Sequence, residues 1–329
     1  MTDRRVETLG RALVAHLRGV LAAPALDLAE PPVALTGGFD TEIFAVRLRE
    51  APPEFAGPLV LRLLRPHHDP TRALREEATQ NTLVVLGFPA PRVLLAATVP
   101  APLGAPFVLM ERLPGRPLMQ TRVVGMGTRL AELQLRLHAL DPTPLARALG
   151  PPGSFDGYLD AFAGRIARAK LDELAPLLAW LRARRPPPAA PVICHGDFHP
   201  QNVLVDNGRA TGVLDWPNAL VAEPAFDVAS TLNILRFVPV GLTSMPAAVR
   251  WMVRAAQPLL AQGYLAAYRR RRPIAGARLA YYRVAAALRA LVRAAETQRG
   301  LAGPPTGLDT SSYAARLLAY AGRVVEQTR

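Results

Sequence analysis

The sequence predicts an α+β chain in two lobes: a small N-terminal lobe built on an antiparallel sheet with one main helix, and a larger, mostly helical lobe after it. Three observations carry this. The 329 residues exceed what one core holds, since single cores stop growing near ~250 residues. In the first third, short aliphatic and β-branched runs alternate with turn residues. Beyond residue 115 the apolar period shifts towards 3.6, apart from a stretch at 191–216 where short apolar runs alternate with polar loops.

In chain order, Leu9 to Leu21 reads as an opening amphipathic helix. Val33 to Thr36, Thr41 to Leu48 and Leu59 to Leu64 read as a three-strand meander, bounded by Gly37-Gly38 and by Pro52, Pro53 and Gly57. Thr71 to Leu86 is helical in composition, Val93 to Val99 returns to strand, and Pro106 to Leu113 is a last apolar strand before Pro114-Gly115. These place the first lobe at 1–113 and the second at 114–329. In the second lobe the helices expected are Thr128 to Leu140, Phe155 to Lys170, Leu171 to Arg184, Phe226 to Phe237, Ala247 to Arg272, Arg278 to Thr297 and Ser311 to Gln327. The runs Val192 to Cys194, Val203 to Val205 and Thr211 to Leu214 suggest a small hairpin, a natural mount for a site.

Half the residues are hydrophobic and 20% are charged, so a real core is available. The net charge of +13 comes almost wholly from arginine, Lys170 being the only lysine. Such a charge can mark a nucleic-acid or membrane partner. Here abundant Ala, Pro and Arg throughout account for it by composition, and no aromatic platform interleaves a basic groove, so no nucleic-acid partner is expected. The run Arg269 to Arg272 reads as cations at a helix C-terminus. The apolar stretch Val84 to Met110 is broken by prolines and cannot span a membrane, and no secretory pattern opens the chain, so the cytoplasm is expected. The single cysteine, Cys194, excludes an intramolecular disulfide and lies in an apolar run, as a buried thiol would.

The informative segment runs from Val192 to Asp206 and on through Gly212-Val-Leu-Asp-Trp216. Phosphoryl transfer asks a protein for an oriented acceptor hydroxyl, a cation on the phosphates and oxygen ligands for metal. Asp197 follows an apolar strand, where a carboxylate can accept a hydroxyl proton. Asn202 lies five residues on, and Asp215 ends a later strand; a carboxamide and a carboxylate are the hard oxygen donors Mg²⁺ prefers. His195 and His199 stand four apart, a spacing that aligns zinc ligands on a helix. Gly196 and Pro200 argue for a loop, so His195 is read as orienting that loop through backbone hydrogen bonds.

His195-Gly-Asp197-x-x-x-x-Asn202 followed by Asp215-Trp216 resembles the aminoglycoside phosphotransferase and choline kinase-like family, which has the protein-kinase fold. The resemblance implies ATP, or GTP, with Mg²⁺, and a small-molecule hydroxyl as acceptor. It makes Asp197 the catalytic base assisted by His195, and Asn202 and Asp215 the metal ligands. Asp227 looks like the family's structural aspartate, capping the next helix and steadying the loop. In the small lobe, the resemblance sets Gly37 and Gly38 in the nucleotide loop, Arg62 on the nucleotide phosphates where protein kinases have a lysine, and Glu76 as its helix partner with Glu77 as rival. Met110, Glu111, Arg112 and Leu113 stand where family members read the adenine edge through backbone amides. Arg for Lys at 62 and Trp-Pro at 216–217 set the chain apart from protein kinases.

The substrate class follows from charge. Val228 to Ala295 contains no Asp or Glu but many arginines, an unsuitable lining for a polycation, so a neutral or anionic acceptor is expected. Asp156, Asp160, Asp172 and Glu173 keep an aminoglycoside acceptor open as the alternative, and a kinase-like domain that only holds nucleotide is the non-catalytic one.

Overall fold

Alternation along Leu59-Val-Leu-Arg-Leu-Leu64 decides how the N-terminal sheet is covered, because successive side chains point to opposite faces. Leu59, Leu61 and Leu63 join one cluster, which includes Leu13, Val14 and Leu17 of the first helix together with Phe44 and Phe107. Val60 and Leu64 join the other, with Ala73, Val108 and Met110. Arg62 therefore falls on the second face.

The computed structural model describes residues 3–35, 41–65, 69–99, 103–121, 125–237, 247–301 and 310–327. The chain divides into two compact units, residues 1–115 with 206–217, and residues 116–205 with 218–329. The first unit opens with α1 (Asp3–Val20), then β1 (Asp27–Leu28), β2 (Val33–Ala34), β3 (Thr41–Val46), β4 (Leu48–Arg49), β5 (Leu59–Leu64), α2 (Arg72–Val85), β6 (Val93–Ala97) and β7 (Phe107–Glu111). Its main sheet has the order β2-β3-β5-β7-β6, every neighbouring pair antiparallel. The meander and its helix are those the sequence predicts. The opening helix begins at Asp3, earlier than Leu9, because Val6 also packs on the α1 core.

The second unit begins with β8 (Arg116–Pro117), followed by α3 (Met126–Leu137), α4 (Thr143–Leu149), α5 (Phe155–Arg168), α6 (Ala175–Ala183), β9 (Val192–Cys194) and β10 (Val203–Asp206). A turn through Asn207 and Gly208, both at positive φ, leads to β11 (Arg209–Val213), whose residues belong to the first unit. The chain then returns through β12 (Leu220–Ala222), α7 (Pro224–Phe237), α8 (Ala247–Arg271), α9 (Gly276–Gln298) and α10 (Thr310–Gln327). Two elements differ from the sequence reading. α4 was not among the expected helices; Pro144 sits in its first turn, where its missing N–H would have no helical partner in any case. The apolar run at 192–194 has its partner further along the chain, since β9 pairs antiparallel with β12, and β10 pairs antiparallel with β8. No helix among the described residues is long and apolar enough to cross a membrane.

Candidate functional site

The loop from His195 to Asn202 hangs between β9 and β10 in the second unit, and its shape is set by its own residues. Cys194 at the end of β9 is fully buried, and burial pushes its thiol well above the ordinary range, so it is a core residue and no nucleophile. Gly196 has φ +75°, and a Cβ there would lie 2.6 Å from the carbonyl oxygen of Asn218. Only glycine fits both the left-handed backbone and that close approach. His195, wholly buried, accepts the Asp197 N–H on Nδ1 at 3.2 Å. Asn202 donates from Nδ2 to the Asp197 carbonyl at 3.0 Å and from its backbone N–H to the His199 carbonyl at 2.9 Å. The loop is thus closed across its base, and the Asn202 Oδ1 takes part in no hydrogen bond among the described residues. His199 accepts the Gln201 N–H on Nδ1 at 3.3 Å, a turn contact.

Asp227 holds this loop from α7. Its Oδ1 accepts the Gly196 N–H at 2.7 Å, and its Oδ2 accepts from Gln134 Nε2 at 2.9 Å and lies 3.0 Å from His138 Nε2. It lies within the first turn of α7, and these bonds reach other elements, so its carboxylate anchors the loop instead of capping the helix. Ser230 adds a bond from Oγ to the Gly196 carbonyl at 2.9 Å. Burial favours the neutral acid, but hydrogen bonding and charge from His138, with His195 and Gln134, outweigh it and leave the Asp227 pKa below the ordinary value.

The anchor belongs to a buried polar layer that the sequence reading missed. Three helices each contribute an i, i+4 pair: Gln134 of α3 with His138 at its C-terminal cap, Asp227 and Thr231 on α7, Tyr264 and Tyr268 on α8. Tyr268 Oη lies 2.6 Å from His138 Nδ1, Gln134 Nε2 lies 3.3 Å from Thr231 Oγ1, and Tyr264 Oη donates to Gln134 Oε1. The available signal was polar residues one turn apart on otherwise apolar helix faces.

Asp197 itself projects a carboxylate whose partner is Arg289 of α9, with Nη2 to Oδ1 at 2.6 Å and side chains only 21% and 26% exposed. Burial opposes its ionisation, but the charge of Arg289, with His199 and His195, prevails and holds its pKa at about 2. Arg289 was counted in the sequence among many arginines of α9, with no role singled out.

The first unit gathers the other predicted side chains. Arg62 of β5 and Glu76 of α2 form a buried ion pair, Nη2 to Oε1 at 2.8 Å, with side chains 8% and 0% exposed. Arg72 Nε lies 3.7 Å from the same Glu76 oxygen. The partner of Arg62 is therefore Glu76; burial raises the pKa of its rival Glu77. Arg62 also reaches Asp215 Oδ1 at 3.1 Å. Asp215 carries φ +68°, a left-handed conformation rare for a residue with a Cβ, and such outliers persist where surroundings impose them. Its neighbour Trp216 is fully buried, donates from Nε1 to the Val213 carbonyl at 2.8 Å and packs edge-on against Phe88. The Val213 N–H bonds the Pro89 carbonyl at 2.7 Å.

Of the four backbone positions implied for adenine, Met110 and Glu111 end β7, and Arg112 and Leu113 follow. The Glu111 N–H bonds the Arg92 carbonyl and the Arg112 N–H the Pro58 carbonyl, both at 2.9 Å, so neither is open to a further acceptor while those bonds stand. Gly37 and Gly38 lie outside the described residues.

Known proteins show the same fold. The chain aligns over 96% of its length with the solved structure of an APH(4)-Ia variant in ternary complex with ADP and hygromycin B, with a TM-score of 0.62, 17% identity and 98% of that chain covered. It aligns over 92% with a macrolide 2′-phosphotransferase from Brachybacterium faecium, with a TM-score of 0.56, 20% identity and 97% of that chain covered. In sequence it is 34% identical over 109 residues to the hygromycin-B 4-O-kinase of Escherichia coli, 33% of this chain and 29% of that one. Matches to curated relatives span between 12% and 29% of those proteins' own length. The model of the phosphotransferase enzyme family matches residues 33–282, and the chain belongs to that family.

Proposed function

We propose that this protein is a kinase of small molecules, transferring the γ-phosphate of ATP, or GTP, to a hydroxyl of a neutral or anionic acceptor. The observation that carries the reading is the closed loop His195–Asn202. Asp227 fixes its Gly196 amide, His195 and Asn202 bracket the Asp197 backbone, and the Asp197 carboxylate is held ionised. An ionised carboxylate on a rigid loop can orient an acceptor hydroxyl and take its proton as the bond to phosphorus forms. His195 acts by positioning that loop.

Asn202 and Asp215 supply oxygen ligands suited to Mg²⁺: the Asn202 amide nitrogen is spent within its loop, which leaves the carbonyl oxygen as its donor to a cation. The ion would neutralise phosphate charge. Arg62, steadied by Glu76, fits a nucleotide phosphate because a guanidinium offers paired donors to phosphate oxygens. Residues 1–113 are read as the nucleotide-binding lobe and 114–329 as the lobe carrying the acceptor, with Gly37, Gly38 and the backbone of Met110 and Leu113 as further nucleotide contacts.

The guanidinium on Asp197 supports the charge reading of the acceptor, since a polycation would meet Arg289 where its hydroxyl must bind. The second reading, an aminoglycoside kinase, rests on the 34% identity to hygromycin-B 4-O-kinase over 109 residues. A panel of hydroxylated acids, sugars, macrolides and aminoglycosides with labelled γ-phosphate, run on the wild type and Asp197→Ala, tests both. The expected result is transfer to a neutral or anionic member, lost in Asp197→Ala with nucleotide affinity retained. Transfer to aminoglycosides alone overturns the charge reading, and parental turnover by Asp197→Ala overturns the assignment of the base.

A further inference from the structure

Helices α7 to α10 of the second unit line a half-open cavity of about 510 Å³ that shares no residue with the loop from His195 to Asn202. Leu232, Leu265 and Leu279 supply apolar wall, and three arginines from three helices, Arg236, Arg283 and Arg323, line it as well. None of the described lining residues is acidic. None is hydrogen-bonded to Asp197 or Asn202 among the described contacts.

Arg283 is the most committed of the three. Its Nε donates to Asn233 Oδ1 at 2.9 Å, and its guanidinium lies 4.0 Å from the ring centre of Tyr320 and 5.7 Å from that of Phe237. The head group is thus clamped by stacking, while its Nη2 is buried without a hydrogen-bond partner. Burial lowers its pKa and Arg236 adds to the fall, while the charge of Tyr320 and its hydrogen bond to the guanidinium oppose it, so Nη2 is the donor left unmatched. A buried donor left unmade costs ~1–3 kcal/mol, more when charged, so this geometry is one that an incoming oxyanion would relieve. A cavity of this size falls within the ~300–1,000 Å³ of ordinary ligand sites, with an apolar body and a few polar groups that fix orientation.

We propose that this cavity is a second binding site, separate from that of the phosphate acceptor, for a carboxylate carried on a hydrocarbon body. The carboxylate takes the fork of Arg283, with Arg236 and Arg323 completing the positive field, and the chain lies against the three leucines. Planar carboxylate and planar guanidinium match in two parallel hydrogen bonds, which a point charge does not reproduce.

The test uses the full chain and decanoate as probe, with decanol and decyltrimethylammonium as controls, read by titration calorimetry without nucleotide. Decanoate is expected to bind at least tenfold more tightly than either control. Arg283→Met should weaken it at least tenfold, and Arg283→Lys should recover only part of the loss. Arg323→Met and Arg236→Met each weaken it severalfold, which keeps the test standing if Arg283→Met does not fold. Asp197→Ala is expected to leave decanoate binding unchanged. Equal binding of decanol and decanoate, or full affinity in the arginine variants, overturns the site. Loss of decanoate binding in Asp197→Ala overturns its separateness from the acceptor site. Because no nucleotide or transfer enters the measurement, these results do not depend on the kinase reading.

Discussion

Arg289 of α9 donates to the Asp197 carboxylate at 2.6 Å, so the charge of the loop from His195 to Asn202 is set by a helix residue 92 positions further along the chain. The sign of the pH effect follows. Asp197 has its pKa lowered from 3.8 to about 2, so the folded state favours the ionised form. This contribution is fully present above pH 3.8 and is lost as pH falls through about 2. Arg289→Met leaves the burial and removes the main opposing charge, which raises the Asp197 pKa. The variant should lose about 1–3 kcal/mol at neutral pH, as when one partner of a largely buried pair is removed. Its urea midpoint should also fall less steeply than the parent's between pH 4 and pH 2. Parallel curves for the two proteins would show that the pair does not set this titration.

Arg62 and Glu76 make a different prediction, because both side chains are almost fully enclosed. Arg62→Met takes from a buried carboxylate its 2.8 Å partner, while Arg72 stays at 3.7 Å. A loss of about 3–5 kcal/mol is expected for breaking such a pair from one side, whereas replacing both partners with apolar residues is often nearly neutral. Arg62→Met with Glu76→Leu should therefore be more stable than Arg62→Met alone. Urea unfolding of the two single variants and the double one gives the coupling directly, and strict additivity would contradict the buried-pair description.

The strands around these residues were legible because period-two alternation and turn residues are local signals. Leu59 to Leu64 gave a strand, and its alternation put Arg62 on the face away from Leu61. The loop from His195 to Asn202 was legible through motif spacing. Arg289 was not, since nothing local distinguishes it from the other arginines of α9; only the packing of α9 brings it to Asp197. Gln134 and His138 were hidden for a related reason: on a helix read for its apolar stripe, two polar residues one turn apart acquire a role only when Asp227 and Tyr268 arrive from elsewhere in sequence. The pairing of β9 with β12 is likewise non-local, so nothing in the apolar run at 192–194 pointed to its partner at 220–222.

Asp215 stands at φ +68°, where a Cβ is strained and glycine is not. Both Asp215→Ala and Asp215→Gly remove the carboxylate and its contact with Arg62. The glycine variant escapes the backbone penalty, so it should be more stable than the alanine variant by about 1 kcal/mol. On the metal-ligand reading, both lose Mg²⁺-dependent nucleotide binding equally. Thermal unfolding separates the two effects: equal melting temperatures would show that the left-handed conformation is not imposed in solution.

Gly196 and Asp227 share a bond that holds the loop from His195 to Asn202, and two substitutions reach it from opposite ends. In Gly196→Ala, the new Cβ meets the Asn218 carbonyl oxygen at 2.6 Å, a backbone atom that cannot swing aside, and the residue keeps φ +75°. The loop must shift, and the 2.7 Å bond from the Gly196 N–H to Asp227 shifts with it. In Asp227→Asn the shape is kept, but the charge that His138 and His195 answer is removed and one oxygen becomes a donor facing other donors. Each should cost about 2–4 kcal/mol, from steric strain in the first and from unsatisfied buried groups in the second. Their pH responses differ. The Asp227 pKa is lowered in the fold, so its contribution is present above the ordinary carboxylate pKa and is lost on acidification. Gly196→Ala retains that acid-side loss, whereas Asp227→Asn should flatten it. Stability measured from pH 7 to pH 3 in both variants decides the matter, and an acid-side slope in Asp227→Asn as steep as the parent's would mean that Asp227 is not the charge the loop relies on.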